Sequence, residues 1–218
     1  MKKKWLVCLS ALLVVLNGAA QIQKPDDNIR HIAISNLGYD HNLLSVNVGY
    51  AFYQPRLKTA AFVDLTKGTA LLKTGNYRSQ IGIQTWQGSS KEFNLKSLLA
   101  LVYTRSTNKA GEYDALGFNI QINAGIKRGK LGFGTDFQYN PFLSTRIKHS
   151  DLWRQYYYEN AKDGRYGFST NNLRIGMYLT TLIQPSLEFY LRGGYQTTGE
   201  FDKLIPPYYA ILGLNKKF

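Results

Sequence analysis

From Leu116 to Lys127 every second residue is apolar. Leu116, Phe118, Ile120, Ile122, Ala124 and Ile126 fall on one face of an extended chain, and Gly117, Asn119, Gln121, Asn123, Gly125 and Lys127 on the other. A pattern of this length excludes a helix and demands a sheet whose two faces meet different surroundings. After Arg128-Gly129, a pair suited to a tight hairpin, Leu131, Phe133, Thr135, Phe137 and Tyr139 alternate with Gly132, Gly134, Asp136, Gln138 and Asn140. Pairing Lys127 with Lys130 sets Ile126 opposite Leu131 and Gln121 opposite Asp136, so apolar meets apolar and polar meets polar.

The same period recurs along the chain. Val46, Val48, Tyr50 and Phe52 mark a first strand, Tyr77 to Trp86 a second, and Phe93, Leu95, Leu99, Leu101 and Tyr103 a third. Leu173, Ile175, Met177 and Leu179 mark another, followed by a Gln184-Pro185-Ser186 turn and by Leu187, Phe189, Leu191 and Tyr195. The last, Tyr208 to Phe218, puts Tyr208, Ala210, Leu212, Leu214 and Phe218 on one face. Eight strands is the preferred reading; Asn28–Ser35 and Thr59–Leu65 also have strand character, and including both gives ten. Short connections at 87–92, 128–129 and 183–186 alternate with long ones at 54–76, 106–114, 141–169 and 197–207. That order predicts an all-β, antiparallel, up-and-down transmembrane β-barrel, with the short turns in the periplasm and the long loops outside. Tyr50, Phe52, Tyr77, Tyr103, Tyr139, Tyr195 and Tyr208 are then expected at the outer rim, and Phe93 and Phe218 at the inner one.

The start of the chain fits export. Lys2, Lys3 and Lys4 precede an apolar run from Trp5 to Leu16 and the small residues Gly18-Ala19-Ala20, the layout of a cleaved signal peptide over 1–20. Residues 21–44 are expected as an N-terminal periplasmic segment and 45–218 as the barrel. Cys8, the only cysteine, lies inside the signal, so no disulfide is expected afterwards. No later stretch approaches the roughly 18 consecutive apolar residues of a membrane-spanning helix. Of the formal charge of +13, three lysines leave with the signal. The remaining excess suits loops resting on phosphate-rich headgroups rather than nucleic acid.

These features resemble the small OmpA-type or OmpX-type outer-membrane β-barrels over about residues 45–218. The resemblance implies an outer membrane of a Gram-negative bacterium, lipids and lipopolysaccharide as surroundings, and assembly by the outer-membrane insertion machinery. Tyr208, Leu212, Leu214 and Phe218 correspond to the family's C-terminal assembly signal, with Lys216 as a departure. A soluble lipocalin-like barrel is the rival architecture, but the polar face, rich in Gly, Asn and Gln, fits a filled lumen better than a solvated exterior.

A lumen of eight strands is filled by side chains, so a polar core is expected in place of a porin-like channel. Its ionisable residues are Arg78, Lys96, Asp136, Arg174, Glu188 and Arg192, with Asp136 and Glu188 expected to accept ion pairs. The candidate surface-binding loop is Leu152 to Tyr166. There Trp153, Tyr156, Tyr157, Tyr158 and Tyr166 interleave with Arg154, Lys162 and Arg165, offering stacking area beside charge to carbohydrate, lipopolysaccharide phosphate or an envelope protein partner. The alternative is that these aromatics pack on one another and close the mouth. His149-Ser150-Asp151 contains the three residue types of a hydrolytic triad, but consecutive residues cannot adopt its geometry. His31 and His41 lack further ligands at metal spacing, and no cofactor is expected. The expected function is non-enzymatic: a barrel anchoring basic, aromatic loops for surface interaction or envelope integrity. A lipid A modifying deacylase or acyltransferase, and a subunit of an envelope secretion or conjugation assembly, are the alternatives.

Overall fold

A computed structural model of the chain describes residue 25 and residues 28–40, 43–68, 76–87, 93–108, 111–151, 154, 162–168, 173–197 and 207–218. The signal sequence expected over 1–20 lies outside them. The described strands are β1 (His31–Asp40), β2 (Leu43–Gln54), β3 (Thr59–Gly68), β4 (Tyr77–Gln87), β5 (Phe93–Asn108), β6 (Gly111–Arg128), β7 (Leu131–Tyr139), β8 (Phe142–His149), β9 (Gly164–Tyr166), β10 (Leu173–Gln184), β11 (Leu187–Gln196) and β12 (Tyr208–Lys217). Ten of them close an antiparallel barrel in the order β1-β2-β3-β4-β5-β6-β7-β10-β11-β12, with β12 paired back onto β1. At this seam Leu37 stands opposite Leu212. Just beyond it the Phe218 N–H donates to the His31 carbonyl at 2.9 Å.

Along each strand the small and polar residues point inward and the large apolar ones outward. On β6, Asn119, Gln121 and Asn123 are buried while Ile120 and Ile122 are exposed; on β10, Arg174 and Tyr178 are buried while Ile175, Met177 and Leu179 are exposed. This is the polarity of a globular protein reversed. One sector of the lumen departs from it. Ile32, Ile34, Ala51, Tyr53, Ala60, Phe62, Trp86, Leu98 and Ala100 form a buried apolar cluster toward the end that holds the described termini, where Tyr53 meets Trp86 edge-on with ring centroids 5.3 Å apart.

That sector explains why eight strands is corrected to the ten of the alternative reading. Along β1 and the first half of β3 both faces carry apolar or small residues, so the period-two contrast disappears although the strands are present. The barrel therefore begins at His31, inside the segment expected to be periplasmic. The presumed loop 54–76 is broken by a 3-10 turn at Pro55–Leu57, a left-handed Lys58 (φ 50°) and β3. Because β1 precedes it, β2 runs toward the terminal end, and Tyr50 and Phe52 lie there against His31 instead of at the opposite rim.

Two other presumed loops are sheet. β5 and β6 stay paired up to Asn108 opposite Gly111, so 106–114 is strand on both sides of a two-residue gap. Within 141–169, Pro141 has no N–H to donate, but its carbonyl accepts from Phe118 N–H at 2.9 Å, so β8 continues the line of β7 along β6 past a register shift. β9 then pairs with the far edge of β8. The hairpin at Gly129 also differs by two residues from the sequence pairing: Arg128 faces Leu131 and Asn123 faces Asp136. Gly129, at φ +59°, takes the first central position of the turn, which needs positive φ and which glycine fills at least cost.

Candidate functional site

The lumen contains the six ionisable residues expected from the sequence, and it brings three of them, Asp136, Arg174 and Arg192, together around Tyr209. Asp136 is the hub. Its carboxylate accepts from Arg192 through Nε and Nη2, from Tyr209 Oη at 2.8 Å, from Gln121 Nε2 at 3.2 Å and from Asn123 Nδ2. Both side chains of the Asp136–Arg192 pair are fully buried. Arg192 Nη2 also donates to Gln138 Oε1 at 2.9 Å. Arg174 and Arg192 both lie 5.4 Å from the centroid of the Tyr209 ring. The ring and the shared carboxylate thus absorb much of the positive charge facing this side of the barrel.

Glu188 pairs at 3.0 Å with Lys217, a cation that follows from the alternation of β12 but was absent from the expected set. Lys96 is buried with its ammonium 5.4 Å from the Tyr178 ring centroid, and Nζ has no hydrogen-bond acceptor among the described residues. Arg78 meets an amide and not a carboxylate in the contact at 2.8 Å between its Nη2 and Asn140 Oδ1.

A second network, centred on Asp64, was missed because β3 was not firmly assigned. Asn47 Nδ2 donates to Asp64 Oδ1 at 2.7 Å and Gln80 Nε2 donates to Oδ2. Asn119 Nδ2 reaches Gln80 Oε1 at 3.0 Å, Asn36 Nδ2 reaches Asn47 Oδ1 at 3.0 Å, and Tyr190 Oη donates to Asn36. Together the bonds run from β11 through β1, β2, β3 and β4 to β6. Chemically this arrangement cross-braces the wall: most of its donors and acceptors are spent on one another.

At the far end, β5 and β6 rise past their neighbours and with β8 and β9 form a four-stranded extension. Asp163 ties it down. Its Oδ1 accepts from the His149 backbone N–H at 2.8 Å and lies 3.1 Å from His149 Nδ1, while Oδ2 pairs with Arg154. The Arg154 hydrogen bond first, then that of the His149 backbone, holds the Asp163 carboxyl well below the usual carboxylate range, and Arg154 is shifted upward in turn. His149 therefore meets Asp163 rather than its sequence neighbour Asp151. Arg165 is exposed on β9, whereas Trp153, Tyr156, Tyr157 and Tyr158 lie outside the described residues. His41 does too, and no cluster of potential metal ligands occurs among the described residues.

Tyr208, Leu212, Leu214 and Phe218 face outward along the final strand. Lys216 shares that face, and its Nζ donates to Ser186 Oγ at 3.0 Å. No protein-family model matches the chain, and no curated protein matches it.

Proposed function

We propose that the chain is an integral outer-membrane β-barrel of a Gram-negative cell, delivered through a cleaved signal peptide. It acts without catalysis, as an anchor that presents a basic, aromatic extracellular surface. The observation that carries this reading is the reversed polarity of a closed wall. A ring with no free sheet edge, apolar outside and hydrogen-bonded inside, satisfies the backbone in hydrocarbon and is poorly suited to water. The aromatic residues support the same reading. Tyr77, Tyr103, Tyr139, Tyr195 and Tyr208 lie toward one rim, and Tyr50, Phe52, Phe93 and Phe218 toward the other, as interfacial girdles do. With the described termini in the periplasm, the β5–β6–β8–β9 extension stands on the cell surface. The cross-braced lumen favours an anchor over a diffusion channel.

The test is migration on an unheated gel after folding into detergent, together with crosslinking and lipid A mass spectrometry in a deletion strain. A boiling-dependent shift, a cross-linked envelope partner and unchanged lipid A acylation are the expected results. A chain that is soluble and shows no shift overturns the membrane reading; altered acylation replaces the anchor with an enzyme.

A further inference from the structure

One register row on the outward face of the extension has more positive charge than its neighbours neutralise. Arg146 on β8 stands opposite Arg165 on β9 and, across its other edge, opposite Asp114 on β6. Asp114 stands opposite Arg105, which stands opposite Tyr77, which stands opposite Lys67. Two like charges directly opposed across a ladder repel. The acid in the row is already engaged, since Asp114 is 3.7 Å from Arg105 and accepts from Tyr103 Oη at 2.9 Å. Arg146, Lys148 and Arg165 are exposed and have no ion pair among the described residues.

The position of the row indicates what it meets. On β3 Lys67 follows outward Leu65, on β5 Arg105 follows outward Tyr103, and on β8 Arg146 comes after exposed Leu143. Lys67 and Arg105 stand two residues, roughly 7 Å, beyond the last large outward apolar group of their strands, and Arg146 three residues, roughly 10 Å, beyond Leu143 at the register shift of β8. This face is continuous with the surface that the membrane reading, on which this inference rests, places in hydrocarbon; one step further lie the headgroups.

We propose that this face is a docking surface for the phosphates of surrounding lipopolysaccharide, with Arg146 and Arg165 gripping one phosphate between them. Guanidinium forks match phosphate oxygens in pairs, and a bridging anion turns the opposed arginines from a repulsive pair into a clamp.

The test uses the folded full chain in mixed micelles, titrated with bisphosphorylated lipid A and with the same lipid after phosphatase treatment. The native chain is expected to prefer the phosphorylated lipid by roughly tenfold or more. R146Q/R165Q should lose that preference while keeping the boiling-dependent gel shift. R146K/R165K should retain part of it, and R128Q/K130Q at the opposite rim should keep all of it. A shifted, folded R146Q/R165Q protein with unchanged preference overturns the clamp. Competition by inorganic phosphate as effective as that by the lipid overturns the lipid assignment in favour of a soluble anion. A chain that folds without detergent overturns the membrane reading and this proposal together.

Discussion

Asp136 and Arg192 are mutually dependent, and the dependence is unequal. Replacing Asp136 with Asn removes the only carboxylate within salt-bridge reach of Arg192 among the described residues and leaves a buried cation with Gln138 Oε1 and the Tyr209 ring, which Arg174 approaches at the same 5.4 Å distance. Breaking a buried pair from one side costs about 3–5 kcal/mol, and the second guanidinium beside the same ring argues for the upper half of that range. Arg192→Met leaves the carboxylate with Tyr209, Gln121 and Asn123 as neutral donors, so about 2–3 kcal/mol is expected. Asp136→Asn with Arg192→Met removes both charges and should fall within about 1.5 kcal/mol of the native barrel. The assay is reversible urea unfolding in detergent micelles, followed by tryptophan fluorescence. The predicted signature is that the double variant is more stable than either single one, with Asp136→Asn the worst. Additive losses would refute the reasoning, because they would mean that solvent already screens the pair.

Ile122, outward on β6, should cost about 2–4 kcal/mol as Arg if it lies near the membrane midplane, whereas Ile122→Leu should be nearly silent; equal urea midpoints would remove the hydrocarbon-facing assignment. Gly213→Ala would drive a methyl into the Tyr190 ring and Asn36 Oδ1, an overpacking cost of about 1–3 kcal/mol that Tyr190→Ala in the same chain should partly relieve. Gly129→Ala has no neighbour within 4 Å, so only its positive φ is at stake, at about 1 kcal/mol in the same unfolding assay. Asp163 is held below its unfolded pKa, so its contribution is fully present above the ordinary carboxylate range and is lost as pH falls through and below that range. Protease sensitivity between residues 148 and 166 should accordingly stay flat from neutral pH to about 5 and rise only at lower pH. Asp163→Asn should raise it at neutral pH toward the level the native chain reaches in acid, and flatten its pH dependence, without moving the barrel's urea midpoint.

The sequence made the strands legible wherever hydrocarbon and polar lumen confronted each other. From Leu116 to Tyr139, and again from Leu173 to Tyr195, each strand separates its residues into two chemically distinct sets, and the assigned inward charges are inward in the structure. The pattern fails where the lumen itself is apolar. Ile32 and Ile34 on β1, and Ala60 and Phe62 on β3, face inward, so their strands show little contrast and two staves of the wall were left optional. That omission reversed the direction of β2 and hid Asp64 and its amide partners. The extension was hidden for another reason. The stretch from Ser106 to Asp114 is largely polar or small, yet its two sides carry a ladder up to Asn108 opposite Gly111 that no apolar face requires.

Strand length, rather than loop composition, distinguishes the proposed outer rim. β5 and β6 run 16 and 18 residues, whereas the other barrel strands run 9 to 12. At about 3.3 Å per residue the excess lifts one sector by roughly 15–25 Å, and β8 and β9 can join it only because β7 ends at Asn140-Pro141. Surface chemistry on this barrel is therefore lopsided: Arg105, Arg146, Lys148 and Arg165 share one rigid sheet, not several independent loops. A rigid sheet has already lost the entropy of ordering its cations, so its phosphate affinity should survive truncation of the connection over 198–206 on the β11–β12 side of the rim. If deleting that connection weakens lipid A binding as much as R146Q/R165Q does, the basic surface is assembled from loops and the sheet is not its scaffold.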